Sequence, residues 1–192
     1  MQRSILIVPG IGNSGEAHWQ SRWQQRHAGI TRIAPSSWDE PECADWTAAI
    51  ERAVSASGPH TLVVAHSLGC LAVAHWAART AQAARVAGAL LVAVPDPHGA
   101  RFPAAAHGFA PLPELRLPFP SLIVASDDDP YAHIAHAERY AAAWGGSLHR
   151  IGKRGHINAA SGLGDWSDGW QLLERITGST APGSRASDSC PA

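Results

Sequence analysis

The chain has 192 residues, 45% hydrophobic and 16% charged, and 15 Lys+Arg against 16 Asp+Glu leave a net charge of −1. That length suits one domain with a substantial core, and the balanced charge gives no electrostatic case for nucleic acid or an anionic membrane as partner. No apolar run approaches the roughly 20 residues of a membrane span, and Ile5–Val8 is shorter than the about 7–15 residues of a signal-peptide core, so a soluble, cytoplasmic protein is expected. Cys43, Cys70 and Cys190 form neither a paired framework nor a metal-ligand spacing, which excludes a disulfide scaffold and a structural zinc site.

Along the chain, short apolar runs alternate with helical stretches. Ser4–Val8 reads as a strand stopped by Pro9-Gly10, Glu16–His27 as a helix, Ile30–Ala34 as a second strand and Ala44–Ser57 as an alanine-rich helix. His60–Ala65 is a third strand with the helix Leu68–Ala81 directly behind it, and Val86–Val94 is a fourth strand. The fifth and sixth strands, Ser121–Ser126 and Ser147–Ile151, enclose a helix over Tyr131–Trp144, and Trp166–Ile176 is the last helix. Strands with no polar alternation are those of a sheet covered on both faces, and strand–helix alternation predicts an open, mostly parallel α/β sheet. Pro95–Pro120, with seven prolines, is expected to be an irregular but ordered loop. The domain is expected to span residues 1–177, and the Gly-, Ser-, Ala- and Pro-rich residues 178–192 to form a disordered tail.

The main chemical signal is Thr61-Leu-Val-Val-Ala-His66-Ser67-Leu68-Gly69. A strand runs through a small-x-Ser-x-small turn into a helix, the context of a nucleophile elbow. Such a turn exposes the Ser67 hydroxyl above the sheet edge, and the tight crossing demands small residues at 65 and 69. The first backbone N–H of the helix, on Leu68, is then available to an oxyanion. The plainer alternative is a strand–turn–helix with Ser67 as a cap.

A serine needs a base, and the base an orienting acid. Asp127-Asp128-Asp129-Pro130 follows the fifth strand and Gly155-His156 follows the sixth, giving the order serine, acid, histidine at carboxyl ends of strands. The residues alone do not choose among the three aspartates, and an Asp before Pro is also a good helix cap. His133 and His136 lie near these acids, but no third ligand is spaced for a metal, and a solvated helix face is the expectation.

Gly10-Ile11-Gly12-Asn13-Ser14-Gly15 follows the first strand and matches the dinucleotide fingerprint G-x-G-x-x-G. The acid that should close the second strand is absent from Ile30–Pro35. The loop is therefore read as the second oxyanion donor, Ile11 first and Gly12 next. His18, His66 and Gly12 are expected to line the substrate site. Trp19 and Trp23 are expected in the core, and Asn158 and Ser161 to steady the His156 loop.

The stretches Ser14–Trp23, Ala65–Gly69, Leu117–Tyr131 and Gly155–Trp166 together resemble the small serine α/β-hydrolases of the retinoblastoma-binding-protein-nine and YdeN-like type, over about residues 4–177. The resemblance implies the α/β-hydrolase fold in a minimal three-layer form: six mostly parallel strands in the order 2-1-3-4-5-6, helices on both faces, no large lid. It implies Ser67 as nucleophile, His156 as base and Asp129, the aspartate before the proline, as acid. The expected activity is hydrolysis of a carboxylic ester or amide of a small molecule through an acyl-enzyme, with no metal or organic cofactor. No Leu-x-Cys-x-Glu segment is present, so no retinoblastoma-type protein partner is implied. Two rival readings are a dinucleotide-dependent oxidoreductase using Gly10, Gly12 and Gly15, and a hydrolase-fold protein whose role is recognition.

Overall fold

Four consecutive residues of the first strand, Ile5 to Val8, are all buried, yet they pack into two different clusters: Leu6 and Val8 on one side, Ile5 and Ile7 on the other. A strand apolar at every position is stable only where both faces are covered, and the computed structural model, which describes residues 4–178, has that arrangement. Its strands are β1 (Ile5–Val8), β2 (Ile30–Arg32), β3 (Thr61–His66), β4 (Val86–Val92), β5 (Ser121–Ala125) and β6 (Ser147–Arg150). They form one sheet in the order β2-β1-β3-β4-β5-β6, every neighbouring pair parallel.

The helices are α1 (Trp19–Arg26), α2 (Cys43–Ala56), α3 (Leu68–Ala77), α4 (Ile134–Trp144) and α5 (Ser167–Gly178). Side chains of α1 and α5 join the cluster with Ile5 and Ile7, and those of α2, α3 and α4 join the cluster with Leu6 and Val8. This is the three-layer fold expected, without a large inserted lid. The chain reverses its direction of sheet growth between β1 and β3, so the loops leaving those two strands flank a crevice at their carboxyl ends.

Several boundaries differ from the sequence expectation. α1 starts at Trp19 rather than Glu16, because the His18 N–H is bonded back to the Gly15 carbonyl and the His18 ring caps the helix. α3 ends at Ala77, and Thr80 caps a separate short 3₁₀ turn over Ala81–Arg85. α4 starts at Ile134 rather than Tyr131, since the Tyr131 N–H is bonded to the Asp129 side chain. The 95–120 stretch has no helix or strand but is ordered against the core through Phe109, Leu112, Leu117 and Phe119. α5 runs to Gly178, where the tail was expected to begin; residues 179–192 lie outside the described residues. No helix among the described residues is long and apolar enough to cross a membrane.

Candidate active site

Ser67 stands between β3 and α3 with φ 53° and ψ −125°, a left-handed backbone that a non-glycine residue holds only where its surroundings over-determine it. Two things hold it. Its N–H donates to the Val92 carbonyl at the end of β4 (2.9 Å), and its carbonyl accepts from the Cys70 N–H (2.9 Å). The small residues on either side have a steric cause. A Cβ at Gly69 would lie 2.3 Å from the Val8 carbonyl oxygen and 2.4 Å from that of Pro9. The helix thus presses directly on the end of β1.

The same closeness carries the β1 loop to the serine: a Cβ at Gly10 would be 3.0 Å from Ser67 Cβ. The Gly12 N–H is spent on the Trp38 carbonyl (2.8 Å), whereas no acceptor among the described residues takes the N–H groups of Ile11 and Leu68. Ile11 and Leu68 both border the cavity above Ser67, and Gly12 does not. The expectation that Gly12 lines the site is thereby corrected: its backbone turns toward Trp38. At the end of β2, where a dinucleotide site would have an acid, stands Arg32, bonded to Asn13 Oδ1 (2.6 Å), the Ser14 carbonyl (3.1 Å), Ser21 Oγ (2.9 Å) and Gln24 Oε1 (3.1 Å). It braces the glycine loop from behind.

The imidazole of His156 connects two elements remote in the chain. Its Nε2 is 2.8 Å from Ser67 Oγ, and its Nδ1 is 2.9 and 3.0 Å from the two oxygens of Asp129. Imidazole and carboxylate are 9% and 5% exposed. A carboxylate facing Nδ1 selects the tautomer with hydrogen on Nδ1, leaving Nε2 free to accept from the serine hydroxyl.

Of the three neighbouring aspartates, Asp127 pairs outward with Arg150 (2.8 Å). Asp128 takes bonds from Ser126 Oγ and the Gly155 N–H (each 2.8 Å), which tie the loop before His156 to the end of β5 and hold its carboxyl below the usual range. Asp129 accepts from the Tyr131 N–H (2.9 Å) and faces His156, so it is an Asx turn and not the cap of α4.

The His156 loop is clamped elsewhere too, by bonds that no local sequence pattern announces. His66 Nε2 donates to the His156 carbonyl (2.9 Å), and the Trp19 indole donates to the Ile157 carbonyl (2.8 Å). Trp19 and Trp23 are each 1% exposed, as a core role requires, but Trp19 is also an anchor of this loop. Asn158 and Ser161 form a reciprocal capping box, and Ser161 Oγ donates to the Arg154 carbonyl (2.6 Å), as steadying residues should.

A cavity of about 400 Å³ opens over these groups, bordered among others by Gly10, Ile11, His18, His66, Ser67 and His156. His18 is buried and its ring sits edge-on to His66 with centroids 4.8 Å apart. Burial, helped by the Arg32 charge, lowers its pKa to about 4, and burial also holds His66 well below the ordinary histidine value. Both are neutral at pH 7, so neither opposes a positive charge on His156. Among the described residues no group of His, Cys, Asp and Glu is arranged to hold a metal ion; His133 is exposed and His136 stands 3.9 Å from Asp96.

The family model described as Serine hydrolase matches residues 5–175. A YdeN-like hydrolase from Pectobacterium atrosepticum is 30% identical, with a TM-score of 0.82 over 94% of each chain. The ydeN gene product of B. subtilis superposes with a TM-score of 0.69 at 17% identity, over 92% of this chain and 100% of that one. Est1E from Butyrivibrio proteoclasticus, solved with ferulic acid bound, shares the fold with a TM-score of 0.61 at 12% identity, over 92% of this chain and 87% of that one. No curated protein matches the sequence.

Proposed function

The chain belongs to the serine hydrolase family, and on that premise we propose that it cleaves a small carboxylic ester or amide through an acyl-enzyme on Ser67, with His156 as base and Asp129 as its orienting acid. The single observation that carries this reading is the placement of one imidazole within 2.8 Å of Ser67 Oγ and 2.9 Å of Asp129. As the serine oxygen attacks the carbonyl carbon, His156 Nε2 takes the hydroxyl proton. Asp129 holds the ring in place and stabilises the imidazolium without taking its proton. The carbonyl oxygen becomes an alkoxide between the Ile11 and Leu68 N–H groups, and the N-terminus of α3 adds its positive dipole end. The imidazolium then passes its proton to the leaving alcohol or amine. Water, deprotonated by the same His156, attacks the acyl carbon and regenerates Ser67.

Each oxyanion N–H contributes on the order of 3 kcal/mol to the transition state. The test is labelling with a fluorophosphonate probe. Wild type is expected to be modified on Ser67, and Ser67→Ala to be neither labelled nor active on any ester. A Ser67→Ala protein that still labels or still turns over esters would rule this reading out.

A further inference from the structure

The polar groups bordering the cavity are unequal in what they have left to give. Asn13 Oδ1 already accepts from the Ser14 N–H (2.7 Å) and from Arg32 (2.6 Å). Asn158 Oδ1 already accepts from the Ala160 N–H (3.0 Å). Each amide therefore has its NH₂ end left for a ligand, and neither NH₂ has an acceptor among the described residues. His18 differs: its Nδ1 accepts from the Gln20 N–H (3.2 Å), which places the ring hydrogen on Nε2, and that Nε2 is sealed from solvent with no partner, so the donors within reach of a ligand are the two amides. On the acceptor side is Nδ1 of His66, whose Nε2 hydrogen goes to the His156 carbonyl. Among the described residues no Asp, Glu, Lys or Arg borders the cavity, so none of them neutralises a charged group, which would lose its hydration without compensation.

We infer that the substrate of this site is an uncharged ester or amide carrying an additional oxygen acceptor (an ether, carbonyl or hydroxyl oxygen) close to the scissile bond, held by the amide NH₂ groups of Asn13 and Asn158. This deepens the serine hydrolase reading and rests on it. A plain alkyl chain fills the space beside Ile11 and Leu68 but leaves the donors unpaired. An oxygen in the chain pairs with them at almost no change in size.

The experiment compares isosteres in which one CH₂ becomes oxygen. On the acyl side these are p-nitrophenyl butyrate and p-nitrophenyl methoxyacetate, and on the alcohol side butyl acetate and 2-methoxyethyl acetate. The ratio of kcat/KM within each pair is divided by the ratio of their hydroxide-catalysed rates, which removes intrinsic reactivity. Wild type is expected to favour the oxygenated member about tenfold in at least one pair, the size of one well-made hydrogen bond. Asn158→Asp and Asn13→Asp keep the accepting oxygens that cap Ala160 and receive Arg32 but replace NH₂ by a second acceptor. At least one of them is expected to bring that ratio close to one; a general loss of rate alters both members alike and leaves the ratio untouched. Ratios near one for wild type in both pairs, a preference unchanged in both variants, or faster turnover of the charged p-nitrophenyl hemisuccinate would overturn the inference. Fluorophosphonate labelling separates the two layers. Labelled Ser67 with no oxygen preference rejects the substrate class alone, and absence of both labelling and turnover rejects the hydrolase chemistry and the substrate class together.

Discussion

Replacing Gly69 by alanine sets two opposite effects against each other. Within a helix alanine is favoured over glycine by up to about 1 kcal/mol, and Gly69 lies in the first turn of α3, so on propensity alone the variant gains stability. The tertiary structure reverses the sign. The new methyl would lie 2.3 Å from the Val8 carbonyl oxygen and 2.4 Å from that of Pro9, against the 3.4 Å at which ordinary contact begins. Relief requires about 1 Å of movement of the α3 backbone or of the end of β1, neither of which is a flexible side chain. Overpacking of this kind costs about 1–3 kcal/mol, and with two main-chain atoms in the way the upper end applies. The net loss is about 2 kcal/mol, or about 4–8 °C in Tm for a domain of this size. The residues displaced carry Gly10 and Ile11, so kcat is expected to fall with stability while KM changes little. Urea unfolding, thermal melts and steady-state kinetics on one ester measure all three. A Gly69→Ala protein as stable as wild type, or more so, with unchanged kcat would refute the close crossing and the positioning role assigned to it.

Other outcomes follow from the same geometry. Asp129→Asn keeps the shape but lets the ring adopt the wrong tautomer, so kcat is expected to drop about 10⁴-fold; an activity within tenfold of wild type would remove Asp129 from the mechanism. Arg32→Met frees Asn13 and the Ser14 carbonyl, and the loosened loop is expected to lower kcat roughly tenfold through a misplaced Ile11 N–H, whereas an effect on KM alone would assign Arg32 to binding. His18 is neutral in the folded protein down to about pH 4 but protonates in the unfolded chain at its ordinary value of 6.5. Between those limits the unfolded state binds more protons, so stability falls as pH falls, by about 3 kcal/mol for this residue, and levels off below pH 4. His18→Asn retains a capping side chain and is expected to show a shallower decline in urea-unfolding stability from pH 7 to 4.5; equal slopes would refute the assignment.

Local signals sufficed for much of this protein. The apolar runs Ile5–Val8, Leu62–Ala65, Val86–Val92 and Leu122–Ala125 lie in strands covered on both faces, because such a strand leaves little room for a polar side chain. The turn at Ala65–Gly69 is legible because its pattern lies within five residues, although the atoms that demand a small residue at 69 are the carbonyls of Val8 and Pro9 at the end of β1. The strand order, and the serine–acid–histidine sequence of site residues at strand ends, was likewise expected from the chain together with its family resemblance. The choice among Asp127, Asp128 and Asp129 is of another kind. All three are the same residue in one run ahead of Pro130, and what separates their roles is what approaches from β6 and its loop: Arg150, the Gly155 N–H and the His156 ring. The braces at Arg32 and Trp19, and the turning of Gly12 away from the cavity, are likewise partnerships across more than one element. Short-range preference shapes each strand and turn, whereas a hydrogen bond to a distant carbonyl exists only after the sheet has brought it near. The charge state and unspent donors of the cavity wall belong to that second group, since they depend on which atoms are already occupied by residues far along the chain.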